Sequence, residues 1–214
     1  MDKGQAQHFE QIRQAKIEES QTIQDYWLQH SNMGTWQFWL LATLFLVPLA
    51  VLLWKMDRRK AFLLGFFGLN VHIWFSYIDT YGVEHGAWGY PFKIMPYLPE
   101  SITLDTSLVP VSFMLLYQWC LHRRWNFYWC GAGLCAAYAF GLKPIFVQMD
   151  LFRMYKGMNF FYLYLLYLLV FALAIGFTAL FIALNKHGNN EAGNDSWIVK
   201  LPGRNSFRVK TKQR

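Results

Sequence analysis

The run FFYLYLLYLLVFALAIGFTALFIAL, residues 160–184, contains no charged side chain. As a helix it would extend about 37 Å at 1.5 Å per residue, more than the roughly 30 Å hydrocarbon layer of a bilayer. Its apolar residues fill every face instead of recurring at amphipathic spacing, so the run reads as a transmembrane helix.

Four further stretches follow the same pattern. Trp36–Trp54 is flanked by tryptophans, which suit the membrane interface. Ala61–Asp79 is apolar apart from Asn70, His72, Ser76 and its final aspartate. Leu104–Leu121 is the shortest, and Phe127–Met149 contains Lys143 followed by Pro144. The composition agrees: 55% hydrophobic, 19% aromatic and 15% charged, against about 25% charged in an average globular chain. The expected fold is all-α, an integral membrane bundle of five helices. Residues 1–35 form an amphipathic N-terminal helix, 36–184 the membrane domain and 185–214 a basic tail.

The net charge of +7 does not point to nucleic acid, because the basic residues sit beside the apolar runs and in the tail, where they orient a membrane protein. One set of connections, residues 55–60, 122–126 and the tail, carries thirteen Lys and Arg. The other set, residues 1–35, 80–103 and 150–159, carries six. The richer side is cytoplasmic, which places the N-terminus outside and the C-terminus inside a plasma membrane. The opening MDKGQAQHFEQIRQAKIEESQ lacks the apolar core of a signal peptide. The tail reads as disordered and drawn to anionic lipid, with a short hairpin around Leu201–Asn205 as an alternative. Cys120, Cys130 and Cys135 are odd in number and lack zinc-ligand spacing, so they read as structural thiols.

Polar groups converge at the outer end. Gly65, Gly68, His72, Ser76 and Asp79 share one stripe of the second helix, small residues first and polar ones later. The fourth helix repeats the order, with YWCGAGLCAA at 128–137 and then Lys143. Small residues allow close helix packing, so the second and fourth helices are expected to pair tightly on the cytoplasmic side and open into a polar cup outside. Lys143 lies about 24 Å along its helix from Phe127 and about 9 Å before Met149, hence in the outer leaflet. Asp79, Asp105 and Asp150 stand at similar depth. Three readings of Lys143 follow: a snorkelling side chain, an ion pair with Asp79 or Asp105, or a ligand or proton site. His72 reads as a core histidine or a proton relay to Asp79, and Asn70 and Gln118 as interhelical hydrogen-bonding groups.

The outer segment 81–105, YGVEHGAWGYPFKIMPYLPESITLD, is too long for a turn and too rich in Gly and Pro for a helix through its middle. It is expected to form an ordered interfacial cover for the cup. Glu84, His85, Trp88 and Tyr90 are its site candidates, the first two as solvated residues or as an acid/base pair. No nucleophile elbow, phosphate loop, metal constellation or cofactor motif is present in the sequence.

The set Tyr77-x-Asp79, Gly82, Gly86-x-Trp88-x-Tyr90-Pro91-x-Lys93-x-x-Pro96, then Asp105-x-Ser107-x-x-Pro110, Met114-Leu115 and Tyr117-Gln118, resembles a family of small multipass membrane proteins of spore-forming Gram-positive bacteria. The likeness spans roughly residues 25–185. It implies a bacterial membrane protein and no particular activity. In that family the fourth helix tends to carry Glu-Pro where this chain has Lys143-Pro144.

The sequence therefore suggests a non-enzymatic plasma-membrane protein with an outward polar pocket, acting in sensing, binding or assistance to a membrane complex. The alternatives are a small transporter or channel subunit, its pore supplied by homo-oligomerisation, and a membrane enzyme acting on a lipid or envelope precursor. Partners beyond the bilayer are a second copy or a membrane complex.

Overall fold

The computed structural model describes residues 2–97 and 101–191. The part of the tail from residue 192 onward, including the hairpin at Leu201–Asn205 and most of the basic residues expected to meet anionic lipid, lies outside the described residues. The elements in order are α1 (Lys3–His30), α2 (Trp36–Lys55), α3 (Ala61–Glu84), strand β1 (Trp88–Gly89), α4 (Val109–Arg123), α5 (Phe127–Ala136), α6 (Lys143–Gln148), strand β2 (Arg153–Met154) and α7 (Phe160–Glu191). A π-helical segment Thr103–Leu108 leads into α4, and a second, Ala137–Leu142, joins α5 to α6.

Four helices are long and apolar enough to cross a membrane: Trp36–Lys55, Arg58–Glu84, Phe127–Gln148 and Phe160–Asn185. They correspond to four of the five expected spans. The remaining expected span, the third, runs from Thr103 through α4 and is helical but less apolar, because Thr103, Asp105, Ser107, Gln118, His122 and Arg123 occupy its ends. It packs against α2 and α3 inside the bundle, where α2 carbonyls accept from two of its hydroxyls. Ser107 Oγ donates to the Phe45 carbonyl of α2 at 2.5 Å, and Thr103 Oγ1 to the Leu41 carbonyl at 3.4 Å.

The connections segregate to two ends. At one end Gln118 accepts from the Asp57 amide at 2.7 Å and donates to the Lys55 carbonyl at 2.9 Å. At the other, β1 pairs antiparallel with β2, Trp88 opposite Met154 and Gly89 opposite Arg153. Residue Lys93 is joined there to the end of α1: Trp27 Nε1 and Ser31 Oγ both donate to its carbonyl at 3.0 Å, and its amide donates to Ser31 Oγ at 2.8 Å. The described part of the expected cover is thus a loop stapled by a two-stranded ribbon. Helix α3 runs on to Glu84, past the expected end at Asp79, since no proline intervenes and Gly82 is held within the helix; the turn comes at Gly86, which takes φ +62°.

Both π segments end two residues before a proline, Leu108 before Pro110 and Leu142 before Pro144. Proline has no N–H and its ring crowds the carbonyl four residues back. A wider π turn relieves that clash without interrupting the helix. The expected bend at Pro144 therefore takes this form, and each π segment places one ionisable residue toward the ribbon end of the bundle: Asp105 within the first, Lys143 directly after the second.

The interior below is aromatic and tight. Phe67 meets Tyr117 at 5.1 Å between ring centroids and Phe127 at 5.5 Å, while Phe171 meets Phe127 at 5.2 Å and Phe113 at 5.4 Å. A Cβ on Gly131 would stand 1.9 Å from the Phe171 ring, and one on Gly68 would stand 2.3 Å from Met114 Sδ. These glycines admit large side chains from other helices. The expected pairing of the second and fourth helices gives way to a different arrangement: α3 lies chiefly against α4 and α7, and its ring contact with the fourth passage is Phe67 on Phe127.

Candidate functional site

Three elements converge beneath the β1–β2 ribbon. Asp79 comes from the last turns of α3, where the helix continues past it and keeps its side chain inside. Lys143 opens α6 behind its π turn. Trp88 and Tyr90 descend from the ribbon, whose approach is close because residue 82 is glycine: a Cβ there would fall 2.0 Å from the Trp88 ring. Trp88 Nε1 donates to Asp79 Oδ1 at 2.9 Å, and Tyr90 Oη donates to the same oxygen at 2.7 Å. Lys143 Nζ donates to Tyr90 Oη at 3.0 Å. The phenol therefore stands between cation and anion, accepting from one and donating to the other. Burial foremost, and then the acidic side chains of Asp79 and Asp105, hold the Tyr90 phenol well above its usual pKa, so it remains a hydroxyl at neutral pH.

Lys143 is only 2% exposed. Its ammonium lies 3.5 Å from the centroid of the Phe152 ring and 4.8 Å from that of Tyr90, a cation–π seat shielded from bulk solvent. This geometry removes the snorkelling reading, which needs the head group in solvent. It also replaces the direct ion pair: among the described residues no carboxylate lies within ion-pair distance, and Asp79 is reached through Tyr90. Asp150, one of the three carboxylates at matching depth, turns away into a left-handed turn at φ +57° and pairs with exposed Arg153 at 3.0 Å.

Asp105 is buried, yet neither carboxyl oxygen has a hydrogen-bond partner among the described residues. The Ser101 hydroxyl stands nearby but outside hydrogen-bond geometry. The main-chain carbonyl of Asp105 accepts from His72 Nδ1 at 2.7 Å, which makes Nδ1 the protonated nitrogen, and Ser76 Oγ lies 3.4 Å from it. His72 and Ser76 thus support the backbone of the π turn rather than relaying to Asp79. Asn70 likewise bonds within its own helix, donating to the Phe66 carbonyl at 2.8 Å.

Glu84 and His85 do not join this cluster. Glu84 is exposed and pairs with Lys16 of α1 at 3.3 Å. His85 stacks on Tyr81, bonds the Tyr81 carbonyl through Nδ1 at 2.8 Å, and offers its own carbonyl to Lys156. Among the described residues no group of three or more His, Cys, Asp or Glu is placed to hold a metal ion, and all three cysteines are unpaired.

Above the cluster lies a groove of about 650 Å³ between the C-terminal half of α1, the ribbon and the β2 turn. Tyr26, Trp27, Tyr90, Phe92 and Tyr155 give it aromatic walls, and Arg153 with Asp150 its charged rim. Tyr90 belongs to both groove and cluster. Two smaller cavities lie beneath: one of about 20 Å³ is bordered by Asp79, Lys143 and Trp88, and one of about 10 Å³ lies beside Thr103 and Phe146. The first has room for about one water molecule. Two participants had no signal in span reading, Phe152 as the seat of the ammonium and Trp27 with Ser31 as the anchor of the groove; an aromatic directly after a short turn and a Trp-x-x-x-Ser spacing at a helix end are the only hints. Comparison of the chain with protein-family models, with curated proteins and with solved structures finds no match.

Proposed function

We propose that this chain is a non-enzymatic, five-pass plasma-membrane protein whose outward groove binds a small amphipathic molecule and reports its presence to the charged cluster below. The N-terminal helix, the ribbon and the β2 turn face outward, and the connections rich in Lys and Arg face the cytoplasm. The observation that carries the reading is the double role of Tyr90: the residue borders the groove while its hydroxyl links Lys143 to Asp79. A volume of about 650 Å³ matches small-molecule sites, which are mostly apolar with a few oriented polar groups. The resemblance to spore-former membrane proteins is consistent with a bacterial plasma membrane.

The transporter reading is less favoured because the lower half is tightly filled, with Met114 on Gly68 and Phe171 on Gly131. The enzyme reading is less favoured because Glu84 and His85 are exposed and separately engaged, while Asp105 is enclosed. Two experiments test the proposal. Cysteine at position 155 should react with a membrane-impermeant maleimide from outside intact cells; reaction from the cytoplasmic face alone refutes the orientation. In a thermal-shift screen of amphipathic organic anions and cations in detergent, ligands should raise the Tm of the wild type and not of Trp27→Ala/Tyr155→Ala. Shifts that persist in the double variant refute the groove.

A further inference from the structure

The buried cluster holds an odd number of formal charges: the carboxyls of Asp79 and Asp105 face a single ammonium, Lys143. Asp79 is supplied with two donors and lies one hydroxyl from that ammonium. Asp105 has neither: both its oxygens are enclosed and lack donors. An isolated carboxylate is far more costly to bury than a neutral polar group, so the unpaired position is the one that calls for another positive charge. The other titratable groups around Asp105 do not supply it. Helix α3 contributes Asp79 and His72, the latter committed to the Asp105 carbonyl; the ribbon contributes Tyr90 and α7 contributes Tyr167. Helix α2, packed on the same π turn, has no ionisable side chain before Lys55.

We propose that the cluster is a proton-binding site, with one exchangeable proton held on the Asp105 carboxyl and Asp79 left as the partner of Lys143. A metal cation fits poorly, since hard cations demand several oxygen ligands and among the described residues no group of three or more His, Cys, Asp or Glu is placed to hold one. The π turn that carries Asp105 is the kind of helix irregularity that recurs at functional sites. The small cavity at Asp79 and Lys143 is large enough for the water that would carry the proton onward. This inference does not depend on what the outer groove binds.

The test is infrared difference spectroscopy of the purified full-length protein, with Tm recorded across the same pH range. The wild type should show the carbonyl stretch of one protonated carboxylic acid at neutral pH, lost on alkalinisation together with a fall in Tm. Asp105→Asn should lack the band and show a flattened Tm profile; Lys143→Met, which leaves both carboxyls without a cation, should retain the band. A band that survives Asp105→Asn, or no protonated carboxyl in the wild type at any pH, overturns the proposal. Should Asp105→Asn fail to fold, the Lys143→Met arm still decides: loss of the band there overturns the proposal. Replacing choline by sodium at constant pH should leave Tm unchanged; a sodium-dependent rise would assign the site to a cation and refute the proton.

Discussion

Replacing Lys143 with methionine isolates the electrostatics of the cluster, because methionine keeps the length and flexibility of the side chain and removes its charge. The substitution removes a hydrogen bond from a charged donor, about 1.5–3 kcal/mol, and a desolvated cation–π interaction, about 2 kcal/mol. Against them stands relief from burying the ammonium, several kcal/mol per ion. These contributions nearly cancel. What remains is Asp79, left without a cation in a site shielded from bulk solvent. Removing one partner of a buried ionic group typically destabilises by about 3–5 kcal/mol. Trp88 and Tyr90 still donate to Asp79, so the lower end applies, about 3 kcal/mol. At about 2–4 °C per kcal/mol for a chain of this size, Tm should fall by roughly 6–12 °C. The assay is thermal unfolding in detergent at neutral pH, with Asp79→Asn/Lys143→Met as the second arm, which should recover most of the loss. A single variant within about 1 °C of wild type, well below one kcal/mol, would refute the reasoning, as would a double variant no better than the single.

Three further outcomes are expected. Gly82→Ala should destabilise by about 1–3 kcal/mol through overpacking and alter tryptophan fluorescence, because its Cβ would collide with Trp88; unchanged emission and Tm would contradict the close approach. Ser31→Ala should cost about 1–3 kcal/mol by leaving the Lys93 amide without its Ser31 acceptor, read as faster hydrogen exchange at Lys93; an unchanged exchange rate counts against the anchor. In α1 the hydrogen bond from Arg13 foremost, with one from Gln14, lowers the Glu10 carboxyl from 4.5 to about 2. A group lowered in the folded state stabilises above its unfolded value and loses that contribution as pH falls toward the folded one. Carbon-13 NMR should therefore place the Glu10 midpoint near 2 in the wild type and return it toward the ordinary range in Arg13→Ala; equal midpoints would dismiss the pair.

Much of the architecture was readable from hydrophobicity. A span is a property of consecutive residues, so 160–184 and its counterparts declare themselves without knowledge of their neighbours. The third passage was the hardest to read, since its polar residues are tolerated only because α2 and α3 cover them. Proline positions were equally plain, and they mark where the two π segments end, although the choice of a π turn over a kink depends on packing around each helix. The depth of Lys143 followed from counting residues. Its company did not: Asp105 and Asp79 were foreseeable as neighbours, whereas Tyr90 as the go-between and Phe152 as the seat arise from a ribbon of two residues per strand, too short to carry a sequence pattern.

The sequence by itself thus determined which segments are apolar enough to span a membrane and that Pro144 would disturb its helix. The tertiary structure alone decided which ionisable residues meet. It set a phenol between Lys143 and Asp79, sent Asp150 to Arg153 and left Asp105 enclosed without a donor. The physical reason is that membrane insertion depends on summed transfer free energies along the chain, which are local, whereas pairing depends on the rotation and separation of helices. Those are governed by close approaches such as Gly82 with Trp88 and Gly131 with Phe171, between residues 6 and 40 positions apart.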